Sequence, residues 1–543
     1  MVTVVPSFDL IDQPWIPVTD GGRSRLVSLA DALAHAHEID GLALDDPLQA
    51  VAVFRQVLLP VVLDALGAPT DSDEWAERWR AGVLDAARIG DYLEENRPHF
   101  DLFDPDRPFA QVASLEPLSG NYSPTSLLLP SVAAQNNVPL FSAFTDSDAP
   151  ALTPAEAARA LLSTHCWDTA GIKSGAVGDS KAKQGKAMGN PTGPLGRLGV
   201  VIPLGRTLAE SLVLNEPILP QGLRPADRPQ WRAEPITAEW QQRPAVGLLD
   251  LLTWQARRIR LIAEDGAAGL TVRHVVVAAG DRLQLIPESD ELHTAWKQLD
   301  KPAAGQAPRQ PILHQPGRAA WQGLTALLAT QENPSAKVSS SVLLSQLGNL
   351  QADGIVPEQL PLQVLAVGVA YGNQSAIIED TMTDLIPLPV VALASATPLR
   401  DLLSEIVLQS EQLRLAANRL GDDLRLASGG AKIPWDHGQH LGDVLVHALD
   451  SIVRRLLAGL QREPERLQEA RLAWRSVARS LALEVAEPAL VAVPPTSFVG
   501  REVRPGIYYR QSTAERSYRA ALHRVLGPPP TELPTDRTTD RGV

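Results

Sequence analysis

Apolar residues recur with helical spacing over long stretches in the last third of the chain. The apolar stripes run over residues 402–420, 441–460, 467–481 and 513–525. Because short connections separate them, the spacing predicts an antiparallel four-helix bundle over residues 391–526. The last residues, 527–543, are rich in proline, threonine and charged side chains, and we expect this tail to be disordered.

The first 390 residues mix helical and strand patterns with proline-rich segments. Helical spacing covers residues 26–37, 46–66, 75–96, 153–166, 318–328 and 338–350. Strand patterns cover an edge strand within 8–18, a hairpin over 272–286 and a buried strand over 362–371. The sequence therefore predicts an α+β fold: a large mixed domain with irregular loops over residues 1–390, followed by the bundle.

Glycine and lysine alternate through residues 168–203. Glycines stand at 171, 175, 178, 185, 189, 193, 196 and 199, and the cations are Lys173, Lys181, Lys183, Lys186 and Arg197. Glycine lets a backbone approach a bulky partner, and lysine suits phosphate, so the pattern predicts a loop that faces a polyanion. Composition alone also fits a flexible linker, but apolar segments on both sides favour a loop on a folded platform. Because residues 168–199 contain many glycines and lack apolar anchors, much of this loop is expected to be mobile in the free protein.

Composition limits the function classes. The 543 residues carry a formal net charge of −14, which argues against a protein that coats nucleic acid along its whole surface. The single cysteine, Cys166, excludes an internal disulfide and a cysteine-based zinc cluster within one chain, and favours the cytoplasm. Neither a secretory signal nor a long uncharged apolar run is present, so we expect no membrane partner.

We find no catalytic motif in the sequence. The P-loop pattern fails because Ser180 replaces its first glycine and Ala187 its serine or threonine. Zinc-protease and nucleophile-elbow patterns do not occur. His165 and Cys166 are adjacent, but neighbouring helical side chains point apart, so a core position is the favoured interpretation. We therefore expect a binding protein, not an enzyme, with no cofactor and no metal.

Two polar segments suit recognition by shape and hydrogen bonding. An uncharged loop over residues 121–144 contains Gln135, Asn136 and Asn137, whose amides suit base edges or a folded RNA end. The same loop also fits an ordinary surface loop. Gly372, Asn373 and Gln374 directly follow the predicted strand 362–371, a position that can project a side chain rigidly into a partner.

These features together resemble one family. The opening FDLIDQPWIPV at residues 8–18 is similar to the start of the CasA family, the large subunits of the type I-E CRISPR surveillance complex Cascade. The order of the later features also matches this family: the uncharged loop, Gly171 to Gly175, the turn with Gln374, and the helical bundle. The resemblance covers most of the chain and rests on this order more than on any single motif.

The resemblance implies a subunit that recognises the protospacer-adjacent motif (PAM) from the minor groove and opens the duplex beside it. By position, the PAM loop is Ala170, Gly171, Ile172, Lys173 and Ser174, the wedge is Gln374 with Asn373, and the lysine finger is Lys301 or, second, Lys297. Lys181, Lys183 and Lys186 are expected on the DNA backbone. An uncharged planar side chain at a stiff strand end can insert beside a base pair and replace part of its stacking.

The resemblance also implies partners. Gln135, Asn136 and Asn137 would dock onto the 5′ handle of the CRISPR RNA (crRNA) and the neighbouring backbone subunit. Further partners are the small and handle-binding subunits, double-stranded target DNA and the helicase–nuclease. Two alternatives stay open: a nucleotide-handling enzyme that uses the glycine–lysine loop, and a scaffold that binds only proteins.

Overall fold

A computed structural model describes residues 6–132, 144–266, 269–302, 307–329, 337–434 and 438–528. The α-helices are Leu29–Ala34, Pro47–Val53, Leu59–Leu66, Ser72–Ala81, Ala86–Asn96, Pro154–Trp167, Leu208–Leu214, Leu248–Leu252, Leu324–Leu327, Val342–Ala352, Pro398–Ala427, Leu441–Arg462, Leu467–Val491, Thr496–Val499 and Gln511–Leu526. The strands are Ile16–Asp20, Arg23–Val27, Gly41–Leu42, Ser123–Pro124, Gly171–Ser174, Lys186–Asn190, Val200–Leu204, Gln242–Arg243, Arg257–Gly266, Gly269–Ala279, Arg282–Leu283, Trp296–Gln298, Arg309–Pro311, Val338–Ser339, Gln363–Tyr371, Ile378–Pro387, Arg501–Arg504 and Ile507–Tyr509. The fold is mixed α+β, as predicted, with several small sheets.

The first sheet corrects the expected edge strand. Ile16–Asp20 is the middle strand, between Arg23–Val27 and Gly41–Leu42. The Ala43 N–H donates to the Pro17 carbonyl at 3.0 Å, and because proline has no N–H to return this bond, the pairing with the short third strand ends there.

The central sheet corrects the expected hairpin over 272–286. Gly269–Ala279 pairs antiparallel with the preceding strand, Arg257–Gly266, whereas Arg282–Leu283 pairs in parallel with Gln242–Arg243. On its other side Gly269–Ala279 meets Gly171–Ser174 in parallel, through Ala278 and Ser174. The sheet therefore reaches into the glycine–lysine stretch.

A long apolar helix crosses the core of the first part of the chain. Asp46 caps it, and a π-helical turn at Phe54–Leu58 interrupts it. Pro47–Leu66 is apolar and long enough to cross a membrane, but 83% of its most apolar window is buried inside the protein, so it packs as a core helix. Arg55, a buried charged residue of this helix, forms a two-pronged ion pair with the equally buried Glu291, at 2.7 and 2.9 Å.

The sequence predicted one helix over residues 75–96, and the structure contains two helices in this region. The pattern over residues 75–96 divides into Ser72–Ala81 and Ala86–Asn96 because Gly82 adopts the left-handed conformation, at φ 65°, and ends the first helix. Asp71 and Asp85 cap the two helices through their side chains.

The chain divides into two compact units. The first comprises Met1–Ala320, Ala329–Val356 and Leu362–Leu385, and the second comprises Trp321–Leu328, Pro357–Pro361 and Ile386–Val543. The sequence-based boundary, after residue 390, lies five residues from the last of these divisions. In the second unit Pro398–Ala427, Leu441–Arg462, Leu467–Val491 and Gln511–Leu526 pack on one another, in agreement with the expected four helices.

Candidate nucleic-acid interface

The glycine–lysine stretch forms a β-hairpin on the central sheet. Gly171–Ser174 pairs antiparallel with Lys186–Asn190, with Lys173 opposite Ala187 and Ser174 opposite Lys186. Gly171, at φ 116°, needs glycine's conformational freedom. Ala176 and Ala187 are buried, so the stretch has apolar anchors that the sequence pattern did not reveal.

Residues 175–185 connect the two strands, and this loop ends in a two-residue turn between Lys183 and Lys186, which we call the hairpin tip. The two lysines exchange backbone hydrogen bonds of 2.8 and 3.0 Å. Gln184 and Gly185 both have positive φ, at 50° and 74°, as in a type I′ turn. Both lysine side chains are exposed, so the tip carries two adjacent positive charges.

The inner face of the hairpin holds a buried ionic cluster. The Lys173 ammonium lies 2.6 Å from Asp168 Oδ2, and Arg257 Nε donates to the same oxygen. Burial by itself raises the pKa of Asp168, but Lys173 and Arg257 outweigh it and hold that pKa below its usual range. Burial also lowers the pKa of Lys173. Lys173, expected to face DNA, instead neutralises a carboxylate beneath the hairpin.

The outer face of the hairpin is apolar and positively charged. Ile172 is 52% exposed and Met188 60% exposed, and Ser174 and Lys186 are exposed beside them. Asn190, at the inner end, donates to the carbonyls of Gly171 and Ala187, at 2.9 Å each. The outward side chains are thus available to a partner, while the inward ones maintain the strand pairing.

The second predicted segment forms a tight turn at the end of Gln363–Tyr371. Gln374 and Ser375 both have φ of 54°, which is uncommon for non-glycine residues. The Ser375 N–H donates to the Gly372 carbonyl at 2.8 Å, and Asn373 and Gln374 are exposed. A stiff strand therefore ends in an exposed amide, as the sequence indicated.

The hairpin and the turn are neighbours, although about 200 residues separate them. The Ala170 N–H donates to the Ser375 carbonyl at 2.8 Å. The Tyr371 hydroxyl donates to the Trp167 carbonyl at 2.6 Å, just before the hairpin begins. The expected PAM loop and the expected wedge therefore share one surface.

The other predicted residues lie in three different settings. Lys181 lies over the Trp240 ring, 4.5 Å from its centroid, and donates to the Trp240 carbonyl; Arg282 lies 3.8 Å from the same centroid. Lys297, in Trp296–Gln298, and Lys301 are exposed, and within the described ranges neither bonds to the hairpin or the turn. Gln135, Asn136 and Asn137 lie outside the described residues.

Sequence reasoning missed four residues of this site. Asp168, Arg257, Trp240 and Arg282 each contact the hairpin or its loop. Asp168 carried a signal, since it is the acid that opens the glycine–lysine stretch. Arg257, 89 residues from Asp168, carried none.

The candidate nucleophile pair is part of the core. His165 and Cys166 are buried; burial lowers the pKa of His165 to about 4 and raises the pKa of Cys166 to about 12. A thiol with such a high pKa is a poor nucleophile. Among the described residues, no three His, Cys, Asp or Glu side chains group as metal ligands.

Comparison with known proteins identifies the family of this chain. The profile of the family described as CRISPR-associated protein Cse1 matches residues 9–485. The chain belongs to the Cse1 family. The CRISPR-associated protein CasA/Cse1 of Thermus thermophilus is 30% identical over 503 residues, 88% of this chain and 91% of the relative. The resemblance to CasA is confirmed.

Solved Cse1 structures share the fold. The crystal structure of Thermobifida fusca Cse1 is 31% identical and superposes with a TM-score of 0.83, over 97% of this chain and 99% of that one. A chain in a structure of a CRISPR RNA-guided surveillance complex has the same fold, with a TM-score of 0.69 at 22% identity, over 95% of this chain and 99% of that one.

Proposed function

We propose that this Cse1-family chain is the large, non-catalytic recognition subunit of a type I-E Cascade complex. It would act in the cytoplasm with the backbone, small and handle-binding subunits and a crRNA. Family membership supports this proposal, as does the presence of the same fold in an RNA-guided surveillance complex. The C-terminal helices would contact the small subunits.

The subunit reads the PAM through the hairpin and the turn. The single observation that carries this step is the hydrogen bond from Ala170 to Ser375, which joins the two segments into one surface. Gly171, Ile172 and Ser174 approach the minor groove, and Gln374 with Asn373 inserts beside the first base pair. Unstacking a base step costs a few kcal/mol, which backbone contacts and guide pairing must offset.

Positive charges around the hairpin hold the DNA backbone. Lys183 and Lys186 at the tip, with Lys181 beside Trp240, supply phosphate contacts whose contribution falls as salt rises. Lys301 or Lys297 supplies a further cation from the segment before residue 302. Gln135, Asn136 and Asn137 dock onto the crRNA handle, and the opened duplex recruits the helicase–nuclease.

The test is duplex binding and opening by the reconstituted complex. Targets with and without the cognate flanking motif are compared for the wild type, Gln374→Ala and a control, Gln359→Ala, which changes another exposed glutamine in a turn. We expect motif-dependent binding, with R-loop opening lost only in Gln374→Ala. Binding that ignores both the motif and Gln374 would refute the proposal and leave a protein-only scaffold.

A further inference from the structure

We propose that Arg257 is a positioning residue that fixes the hairpin for DNA recognition, and that Lys173 acts with it and not as a phosphate contact. This inference rests on the proposed function, because it assumes that the hairpin faces DNA. It assigns a recognition role to a buried arginine that lies on another strand.

Arg257 joins both ends of the hairpin. Its Nη2 donates to the Thr169 carbonyl at 2.9 Å, just before the first strand, and to the Pro191 carbonyl at 2.7 Å, just after the second. Its Nε donates to Asp168, and its Nη1 donates to the Ala256 carbonyl at 2.7 Å. One side chain therefore ties the two ends of the hairpin to each other and to the strand that carries Arg257.

Only arginine can make this set of bonds. The guanidinium presents donors in a fixed planar fork, whereas a lysine ammonium is a compact charge with rotatable donors. Arg257 is 1% exposed, so water cannot replace a lost donor and the orphaned carbonyls would remain unsatisfied. An Arg257→Lys variant thus keeps the charge but loses the geometry.

Lys173 completes the cluster from the hairpin itself. It is the residue of the predicted PAM loop that points inward, with its side chain 13% exposed and paired with Asp168. Because Arg257 and Lys173 share the Asp168 carboxylate, loss of either leaves the other to hold the hairpin alone. Lys173 therefore affects DNA recognition through the shape of the hairpin.

Arg55 offers a matched control. It is also 1% exposed and also makes a buried ion pair, but it lies on the core helix, and both of its side-chain hydrogen bonds go to Glu291 and not to the hairpin. Arg55→Lys should destabilise the protein by a comparable mechanism without changing the hairpin. It separates a loss of stability from a loss of positioning.

The experiment measures binding of two duplexes, identical except for the flanking motif, to complexes carrying each variant, across a range of salt concentrations. The variants are Arg257→Lys, Asp168→Asn, Lys173→Gln, Lys186→Gln and Arg55→Lys. Loss of a buried hydrogen bond to a charged group predicts that Arg257→Lys lowers discrimination between the duplexes by about tenfold. Lys186→Gln instead weakens both duplexes alike and reduces the salt slope by about 0.9.

The expected result is reduced discrimination at an unchanged salt slope in Arg257→Lys and Lys173→Gln, with Arg55→Lys like the wild type. If Arg257→Lys does not assemble, the same loss in Asp168→Asn supports the proposal. Full discrimination in the assembled variants, or a reduced salt slope in Lys173→Gln, would overturn it. A wild type that does not discriminate would instead refute the proposed function itself.

Discussion

The hairpin and the turn lie on one surface but are held in different ways. Side chains outside its two strands hold the hairpin, chiefly Asp168 and Arg257, through buried bonds to both of its ends. The turn is held by its own backbone, through the Gly372–Ser375 bond and two residues at positive φ. The hairpin should therefore respond to distant mutations and to charge, and the turn to the backbone preferences of its own residues.

The largest effect is expected from Gly193→Ala. The Gly193 N–H donates to the Asp168 carbonyl at 2.9 Å, and an added Cβ would strike the Cys166 carbonyl and the Trp167 nitrogen. Because these obstacles are backbone atoms, the end of the hairpin must shift, at a cost of about 3 kcal/mol. Local free energies from hydrogen exchange measure this. Gly90→Ala, with open space around its Cβ, should be neutral or stabilising.

Acid should loosen the hairpin and not the turn. The lowered pKa of Asp168 means that its contribution is complete above the unfolded-state pKa of about 4 and is lost as pH falls through the folded-state value. Exchange measured from about pH 5 down to about pH 3 should show hairpin protection falling by about 1 kcal/mol, because one carboxylate with an unfolded-state pKa of about 4 can lose no more than about 1.4 kcal/mol per pH unit below that value. Equal losses of protection in the hairpin and the turn would contradict this prediction. So would an Asp168→Asn variant whose hairpin protection depends on pH as strongly as in the wild type.

The turn should gain stability from Gln374→Gly. Glycine removes the cost of φ 54°, about 1 kcal/mol, whereas Gln374→Ala leaves that cost in place. Thermal unfolding and exchange at residues 372–376 compare the two variants. Both should lose duplex opening, because both lack the amide. A Gln374→Gly variant less stable than Gln374→Ala would show that the turn is not strained.

The smallest effect is expected at the hairpin tip. Asparagine tolerates positive φ better than glutamine, so Gln184→Asn should stabilise the hairpin by about 0.5 kcal/mol. Exchange at residues 171–174 and 186–190 should slow slightly, and the salt slope of DNA binding should stay as in the wild type. Faster exchange would argue against the type I′ geometry.

Local patterns predicted the helices well. The stripes in the last third coincide with the four packed helices, and Asp46 begins the core helix as its spacing suggested. Arg55 is a charged residue within the apolar helix, but its partner Glu291 is 236 residues away, so no local pattern predicts the ion pair. The strand pairing over 272–286 was wrong because apolar runs do not specify their partners.

The sequence predicted which segments form the candidate site, but it did not predict the side chains that hold them in place. The turn with Gln374 follows its strand as expected, and residues 170–174 lie beside it. Lys173 was expected on DNA since lysine among glycines suits phosphate, but strand alternation turns it inward to Asp168. The expectation that the 168–199 loop lacks apolar anchors was also wrong, because Ala176 and Ala187 are buried. The mobility of this loop in the free protein stays a prediction, which hydrogen exchange would test.

The alternation of the hairpin strands has a practical consequence for engineering. Ile172, Ser174, Lys186 and Met188 point outward, whereas Lys173, Ala187 and Asn190 point inward. A randomised library confined to the four outward positions would sample new contact chemistries while the hydrogen-bonded frame stays constant. Changes to target preference would then be selectable without selecting again for folding.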